Sequence, residues 1–143
     1  MSTPEAYTEI ADTLTFLDDW EERYGFIIEL GKQLPPLAEH ERSDANKVRG
    51  CASQVWLVSE VAPSDSGPVI TLRGESDAMI VQGLVAVLIA LYSGRPADEI
   101  AATDALAAFD EIGLREHLTS QRANGLASMV ARVRAEAQAI AAA

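Results

Sequence analysis

Cys51 is the one cysteine in a chain of 143 residues, and its neighbours are of the types that make a thiol reactive. Gly50 precedes it and permits a sharp turn, because glycine adopts backbone angles that are closed to other residues. Lys47 and Arg49 lie close by, and no acidic residue occurs between positions 45 and 59. A cationic environment favours the thiolate, which is the nucleophilic form of cysteine. This pattern predicts a reactive cysteine on a loop.

Arg122 is the second candidate for chemistry. We predict that Thr119 caps a last helix, which runs from Ser120 into the alanine-rich C-terminus. Arg122 then lies in the first helical turn, where the helix dipole disfavours positive charge, and positions that break such a rule are often functional. An arginine beside free backbone N–H groups suits an anion. If the fold brings the two together, Arg122 supports a thiolate or persulfide on Cys51.

Other chemistry finds weaker support in the residue types. His40 and His117 could each pair with Cys51 as in a Cys–His hydrolase, but no sequence spacing establishes such a dyad. One cysteine and two separated histidines fall short of any zinc or iron–sulfur ligand pattern. We therefore expect neither a metal nor another cofactor in this chain.

Composition and charge narrow the classes of partner. The chain has 22 acidic and 11 basic residues, a net charge of −11, which argues against nucleic acid and anionic membranes. The most apolar stretch, 78–92, is too short to span a bilayer. A single cysteine cannot form an internal disulfide, and the N-terminus shows no secretion signal. These observations predict a cytoplasmic protein.

Hydrophobic spacing predicts the elements that precede and follow the loop. Two helices are expected before Pro35-Pro36, the first capped by Thr3 and the second beginning at Asp18 or Asp19. The stretches 54–61 and 69–73 are predicted to form an antiparallel hairpin around a Pro- and Gly-rich turn. Because its apolar residues do not alternate, the first strand is expected to be buried on both faces, or on one face with the cysteine loop over the other. Trp56 is expected in the core.

A long apolar helix should follow the hairpin and lie at the centre of the core. Ser76 or Asp77 is predicted to cap this helix, which ends at Tyr92 before Gly94-Arg95-Pro96. Short helices are predicted at 98–102, 105–112 and 114–118. The order of helices, hairpin and helices indicates one α+β domain over residues 1–143, with helices packed on one face of a small antiparallel sheet.

The loop sequence resembles a known family. Gly50-Cys51-Ala52-Ser53-Gln54-Val55-Trp56 is similar to the Gly-Cys-x-Ser-Gln-Val-Trp motif of SufE-type proteins, the sulfur acceptors of cysteine desulfurases. Further resemblances lie in order along the chain, at Ile28-Glu29-Leu30-Gly31, Leu34-Pro35, Gly74-Glu75-Ser76-Asp77-Ala78, Gln82-Gly83-Leu84, His117-Leu118-Thr119, Arg122 and Gly125-Leu126. Ser120 departs from the pattern, because some relatives have proline there.

The resemblance implies a fold similar to that of the iron–sulfur scaffold protein IscU, and a function in sulfur transfer. A pyridoxal-phosphate-dependent cysteine desulfurase of the SufS type would pass the outer sulfur of its persulfide to Cys51 and be stimulated by doing so. The sulfur would then go to an iron–sulfur scaffold. The chain would be a persulfide-carrying partner rather than an enzyme. Asp77 is either a helix-start residue or a contact for the docked desulfurase.

Three functional classes follow. The first is the persulfide carrier, and the second is an adaptor that activates a desulfurase by docking, with Cys51 incidental. The third is the Cys–His hydrolase. The sequence leaves the final sulfur recipient open, together with the choice between monomer and homodimer.

Overall fold

The computed structural model describes residues 3–116 and 118–143, which form six α-helices, one 3-10 turn and a small sheet. In chain order the elements are α1 (Glu5–Phe16), α2 (Trp20–Lys32), a 3-10 turn (Glu39–Glu41), β1 (Val55–Ala62), β2 (Val69–Ser76), α3 (Met79–Tyr92), β3 (Arg95–Pro96), α4 (Ala97–Ala102), α5 (Ala105–Glu111) and α6 (Ser120–Ala142). The predicted α+β class with a small antiparallel sheet is confirmed.

The sheet has the strand order β1-β2-β3, and both pairings are antiparallel. The predicted hairpin is confirmed, with Val55 opposite Ser76 and Ala62 opposite Val69. The two-residue strand β3 was not predicted, because so short a segment containing proline has no strand signal of its own.

One face of β1 faces the core. Val55 and Leu57 are fully buried, whereas Trp56 and Val58, which follow them in turn, are only half-buried. The first half of the strand therefore alternates, so that of the two alternatives expected for this strand, burial on both faces is wrong. Trp56 lies outside the buried core, so its assignment to the core is wrong as well.

The apolar helix α3 occupies the centre of the core, as predicted, and packs against α2, β2, α1 and α6. Its closest neighbour is α2. A Cβ placed on Gly83 would lie 2.2 Å from the carbonyl oxygen of Ile27, and one on Gly31 would lie 2.7 Å from the amide nitrogen of Gly83. The two helices approach this closely because both positions lack a side chain.

Helix ends agree with the sequence in part. Asp19 caps α2 and Thr119 caps α6 through side-chain hydrogen bonds from Glu21 N and Arg122 N, as predicted. Pro4 rather than Thr3 is the N-cap of α1. Two further differences are the N-cap of α3 and the turns found at 114–116, in the described part of the helix predicted at 114–118.

Ala78, rather than Ser76 or Asp77, is the N-cap of α3. Ser76 is the last residue of β2, and Asp77 is hydrogen-bonded to Gln54 instead. Turns replace the helix predicted at 114–118 where the structure describes that stretch, because Gly113 takes a left-handed φ of +66° and ends α5.

The segment 37–44, which leads toward the cysteine loop, is fastened to β2 by ion pairs. Arg42 Nε lies 2.6 Å from Glu75 Oε2, and Arg73 pairs with Glu41. The hydrogen bond from Arg73 lowers the pKa of Glu41 to about 2. Both carboxylates are thus charged at neutral pH, and the segment is held on the sheet.

Candidate functional site around Cys51

Cys51 lies on the loop between the 3-10 turn and β1, half-buried against α6. Its thiol donates a long hydrogen bond, Sγ to O 3.5 Å, to the carbonyl of Gly125. A Cβ placed on Gly125 would lie 3.5 Å from Sγ, which is ordinary van der Waals contact. The sulfur therefore rests on the surface of the last helix.

A cavity of about 210 Å³ opens beside the sulfur. Its walls come from the loop, from α3 and from the first turns of α6, including Cys51, Ser53, Val81, Arg122 and Met129. The cavity has the size of a small group rather than of a large cofactor. The structure thus brings Cys51 and Arg122 to one site, the arrangement on which the sequence argument for Arg122 depended.

Burial raises the pKa of the Cys51 thiol above its ordinary value. Lys47 and Arg49 flank the cysteine in sequence, and Arg122 lines its cavity. That these charges favour the thiolate stays a prediction. Flanking charge is a local property, whereas the desolvation that dominates here is a property of the packed loop.

Gly50 has the special geometry that its position in the motif predicted. Its φ is +87°, in the left-handed region that side chains disfavour. A Cβ there would also lie 2.5 Å from Oγ of Ser128 on α6. Glycine is therefore required for the turn, and its lack of a side chain also leaves room for Ser128 where the loop meets the helix.

The two ends of the loop are anchored by hydrogen bonds. Before the cysteine, Lys47 forms an antiparallel bridge with Trp56 at the edge of β1. After it, Asp77 Oδ1 accepts a hydrogen bond of 3.0 Å from Gln54 N. Asp77 is exposed as well, so its role as a docking contact stays a prediction.

Arg132 is a residue of this region that the sequence argument missed. From α6 it donates hydrogen bonds to the carbonyl oxygens of Lys47 and Ala45, at 2.6 and 2.7 Å. Its Nε also bonds Glu136 at 3.0 Å. The only sequence signal is that Gly125, Ser128 and Arg132 share one helix face by spacing, and that signal has no meaning until the loop is known to lie there.

Metal and histidine chemistry find no support in the described part of the chain. Residues 3–116 and 118–143 contain no group of three or more His, Cys, Asp or Glu side chains placed to hold a metal ion. His40 lies exposed on the 3-10 turn and is not among the described residues that line the cavity. His117 lies outside the described residues. No helix in the described ranges has the length and apolar character needed to cross a membrane.

Comparison with known proteins gives a consistent result. The model of the SufE family, described as "Fe-S metabolism associated domain", matches residues 8–137. An uncharacterized SufE-like protein of Rhizobium etli is 58% identical over 135 residues, covering 94% of this chain and 91% of the relative. One of Rhizobium meliloti is 55% identical over 130 residues, covering 91% and 93%.

A structural comparison agrees on the fold. The solution structure of a hypothetical protein from Thermus thermophilus superimposes with a TM-score of 0.77. The superposition covers 99% of this chain and 100% of that one, at 17% sequence identity. At that identity the likeness concerns the fold alone.

Proposed function

Because the chain belongs to the SufE family and so has a role in Fe–S metabolism, we propose that its part there is to carry sulfur as a persulfide on Cys51. The donor is a pyridoxal-phosphate-dependent cysteine desulfurase of the SufS type, which the chain stimulates, and the recipient is an iron–sulfur scaffold. The observation that carries this proposal is the lone thiol at an open cavity that it shares with Arg122.

The transfer is a displacement at sulfur. The Cys51 thiolate attacks the outer sulfur of the desulfurase persulfide, a new S–S bond forms, and the bond to the inner sulfur breaks. The desulfurase cysteine leaves as a thiolate, and the carrier holds Cys51–S–S⁻. No other cysteine exists in the chain to resolve this persulfide into an internal disulfide, so the sulfur must leave to another protein.

In this proposal, acceptance of sulfur waits for docking. In the free protein the thiol is half-buried and its pKa is raised by burial, so little of it is the nucleophilic thiolate. A loop that turns at Gly50 can move outward when a partner supplies the binding energy. Outside the cavity the desolvation that raises the pKa is lost, and the thiol becomes reactive where the donor is.

Intact-protein mass spectrometry after incubation with a cysteine desulfurase and cysteine tests the proposal. We expect a gain of one sulfur atom on the wild type, removed by a thiol reductant, and no gain on Cys51→Ser. Ser53→Ala, altered at another residue that lines the same cavity, should gain sulfur like the wild type. An equal gain on the Cys51→Ser variant would overturn the carrier function.

Arg122→Ala should slow sulfur acceptance with little effect on folding. The side chain lines the cavity and is exposed, so its removal should change the melting temperature by no more than about 2 °C. Loss of one charge-assisted interaction with the persulfide anion should slow transfer about tenfold. Single-turnover transfer measured by mass spectrometry gives the rate.

Gln121→Ala is the matched control for Arg122, because Gln121 lines the same cavity without a charge. Arg122→Lys keeps the charge and should recover part of the rate. A transfer rate in Arg122→Ala equal to that of the wild type would contradict a role for the guanidinium.

A further inference from the structure

The residues that lead from a turn into the cysteine loop are here called the stem, defined as 45–48. Its inner edge pairs with β1, because Val48 N donates to Val55 O at 2.8 Å and Leu57 N donates to Asn46 O at 2.9 Å. The carbonyls of Ala45 and Lys47, on either side of Asn46, accept hydrogen bonds from α6.

Arg132 is the donor of both hydrogen bonds. Its two terminal nitrogens, Nη1 and Nη2, donate to the carbonyl oxygens of Lys47 and Ala45. The guanidinium is held in turn by Glu136, whose other oxygen accepts a hydrogen bond of 2.5 Å from Ser59 on β1. One side chain of α6 thus joins the stem, the helix and the first strand. Charge-assisted bonds of this kind are stronger than neutral ones.

The stem is one of two fixed points with Cys51 midway between them. Val48 precedes Cys51 by three residues, and Gln54, which is bonded to Asp77, follows it by three. Three residues span at most about 10 Å, so fixed ends limit the cysteine to a short arc. Residues 49–53, here called the tip, contain the left-handed Gly50 and the weakly held thiol.

We propose that Arg132 is a positioning residue for sulfur transfer, which pins the stem so that the movement of Cys51 is confined to the tip. This inference rests on the proposed function for its biological meaning, but its structural content concerns the free protein. A pinned stem delivers the thiol to one place when the tip moves. An unpinned stem exposes the thiol more often and delivers it less accurately.

Arg132→Gln tests the proposal in the free protein. The rate of Cys51 alkylation by iodoacetamide at fixed pH should rise about tenfold, the change expected for the loss of ordinary hydrogen-bond free energy. Hydrogen exchange at the amides of Val48 and Leu57, which report on stem pairing, should accelerate likewise. The amide of Ala52 in the tip should exchange as in the wild type. The alkylation and exchange rates of Arg132→Lys should lie between those of the wild type and Arg132→Gln, because a single ammonium replaces a guanidinium that contacts two carbonyls.

Arg134→Gln is the matched control. It removes one positive charge and one carbonyl contact from the same helix, but its partner is Ala101 and not the stem. Its alkylation and exchange rates at the loop should equal those of the wild type. Unchanged alkylation in Arg132→Gln, or an equal acceleration in Arg134→Gln, would overturn the proposal.

Stimulation of a cysteine desulfurase then distinguishes a residue that positions the thiol from one that only keeps the thiol buried. In Arg132→Gln the concentration of carrier that half-saturates the stimulation should rise several-fold, while the maximal stimulation stays near that of the wild type. A lower half-saturating concentration would show that Arg132 only keeps the thiol buried, and it would contradict a positioning role for Arg132. If the wild type itself gives no stimulation, the proposed function fails, while alkylation and exchange still decide whether Arg132 pins the stem.

Discussion

Replacing Cys51 with serine should abolish the stimulation of a cysteine desulfurase and leave binding to it intact. A serine hydroxyl is almost wholly protonated at neutral pH and cannot take the place of a thiolate in displacement at sulfur. The substitution should cost little structure, because the side chain is half-buried and its hydrogen bond to Gly125 is a long one. Alanine production and binding affinity, measured side by side on both proteins, give the result.

The same pair of measurements separates the carrier from the adaptor. Retained binding with lost stimulation supports a carrier, because docking then occurs without productive sulfur transfer. Full stimulation by the serine variant would contradict the carrier function and support the adaptor function. Ser53→Ala serves as the control for general damage to the cavity, and it should stimulate as the wild type does.

Gly83→Ala should destabilise the protein by about 3 kcal/mol or more, through overpacking between α2 and α3. The added Cβ would lie 2.2 Å from the carbonyl oxygen of Ile27 and 2.4 Å from its Cγ2 atom. Relief by rotation of a flexible side chain is excluded, because the nearest atom belongs to the backbone of another helix. The helices must separate, and Leu84, next in the sequence and fully buried, loses packing with them. Urea denaturation monitored by circular dichroism measures the loss.

Gly25→Ala is the matched control for that substitution. Gly25 also lies in a helix, on α2, but a Cβ there would meet nothing within 4 Å. We expect it to stabilise the protein by about 0.5–1 kcal/mol, because alanine favours the helix and restricts the unfolded chain. A Gly83→Ala variant as stable as the wild type would contradict the close packing of α2 and α3.

The sequence was sufficient where the determinants of structure are local. The cap at Thr119 and the left-handed turn at Gly50 follow from the preferences of single residues, and both are present. Arg122 stands out in the sequence because the helix dipole disfavours a positive charge in a first turn, which is also a local signal. In the structure it lines the same cavity as Cys51. The order of helices and hairpin was enough for the fold class.

Features set by distant contacts were missed or misjudged. Burial against a helix more than 70 residues further along the chain raises the pKa of the Cys51 thiol, and the residues beside the cysteine in the sequence give no sign of that burial. Arg132 acts on carbonyls 85 and 87 residues away, and a backbone carbonyl carries no sequence signature. The strand β3 forms because the residues that follow α3 pass along the edge of β2 and pair with it. None of these can be inferred from spacing along the chain.

The resting position of Cys51 also bears on its chemical durability. Oxidation of cysteine by peroxides begins with the thiolate and requires access to the sulfur. A half-buried thiol with a raised pKa offers little of either, so conversion to the sulfinic acid should be slow in the unengaged protein. In the proposed sulfur-transfer function, the loop that would delay acceptance until a partner docks would also preserve the thiol between rounds of delivery, under conditions in which an exposed thiolate would be lost.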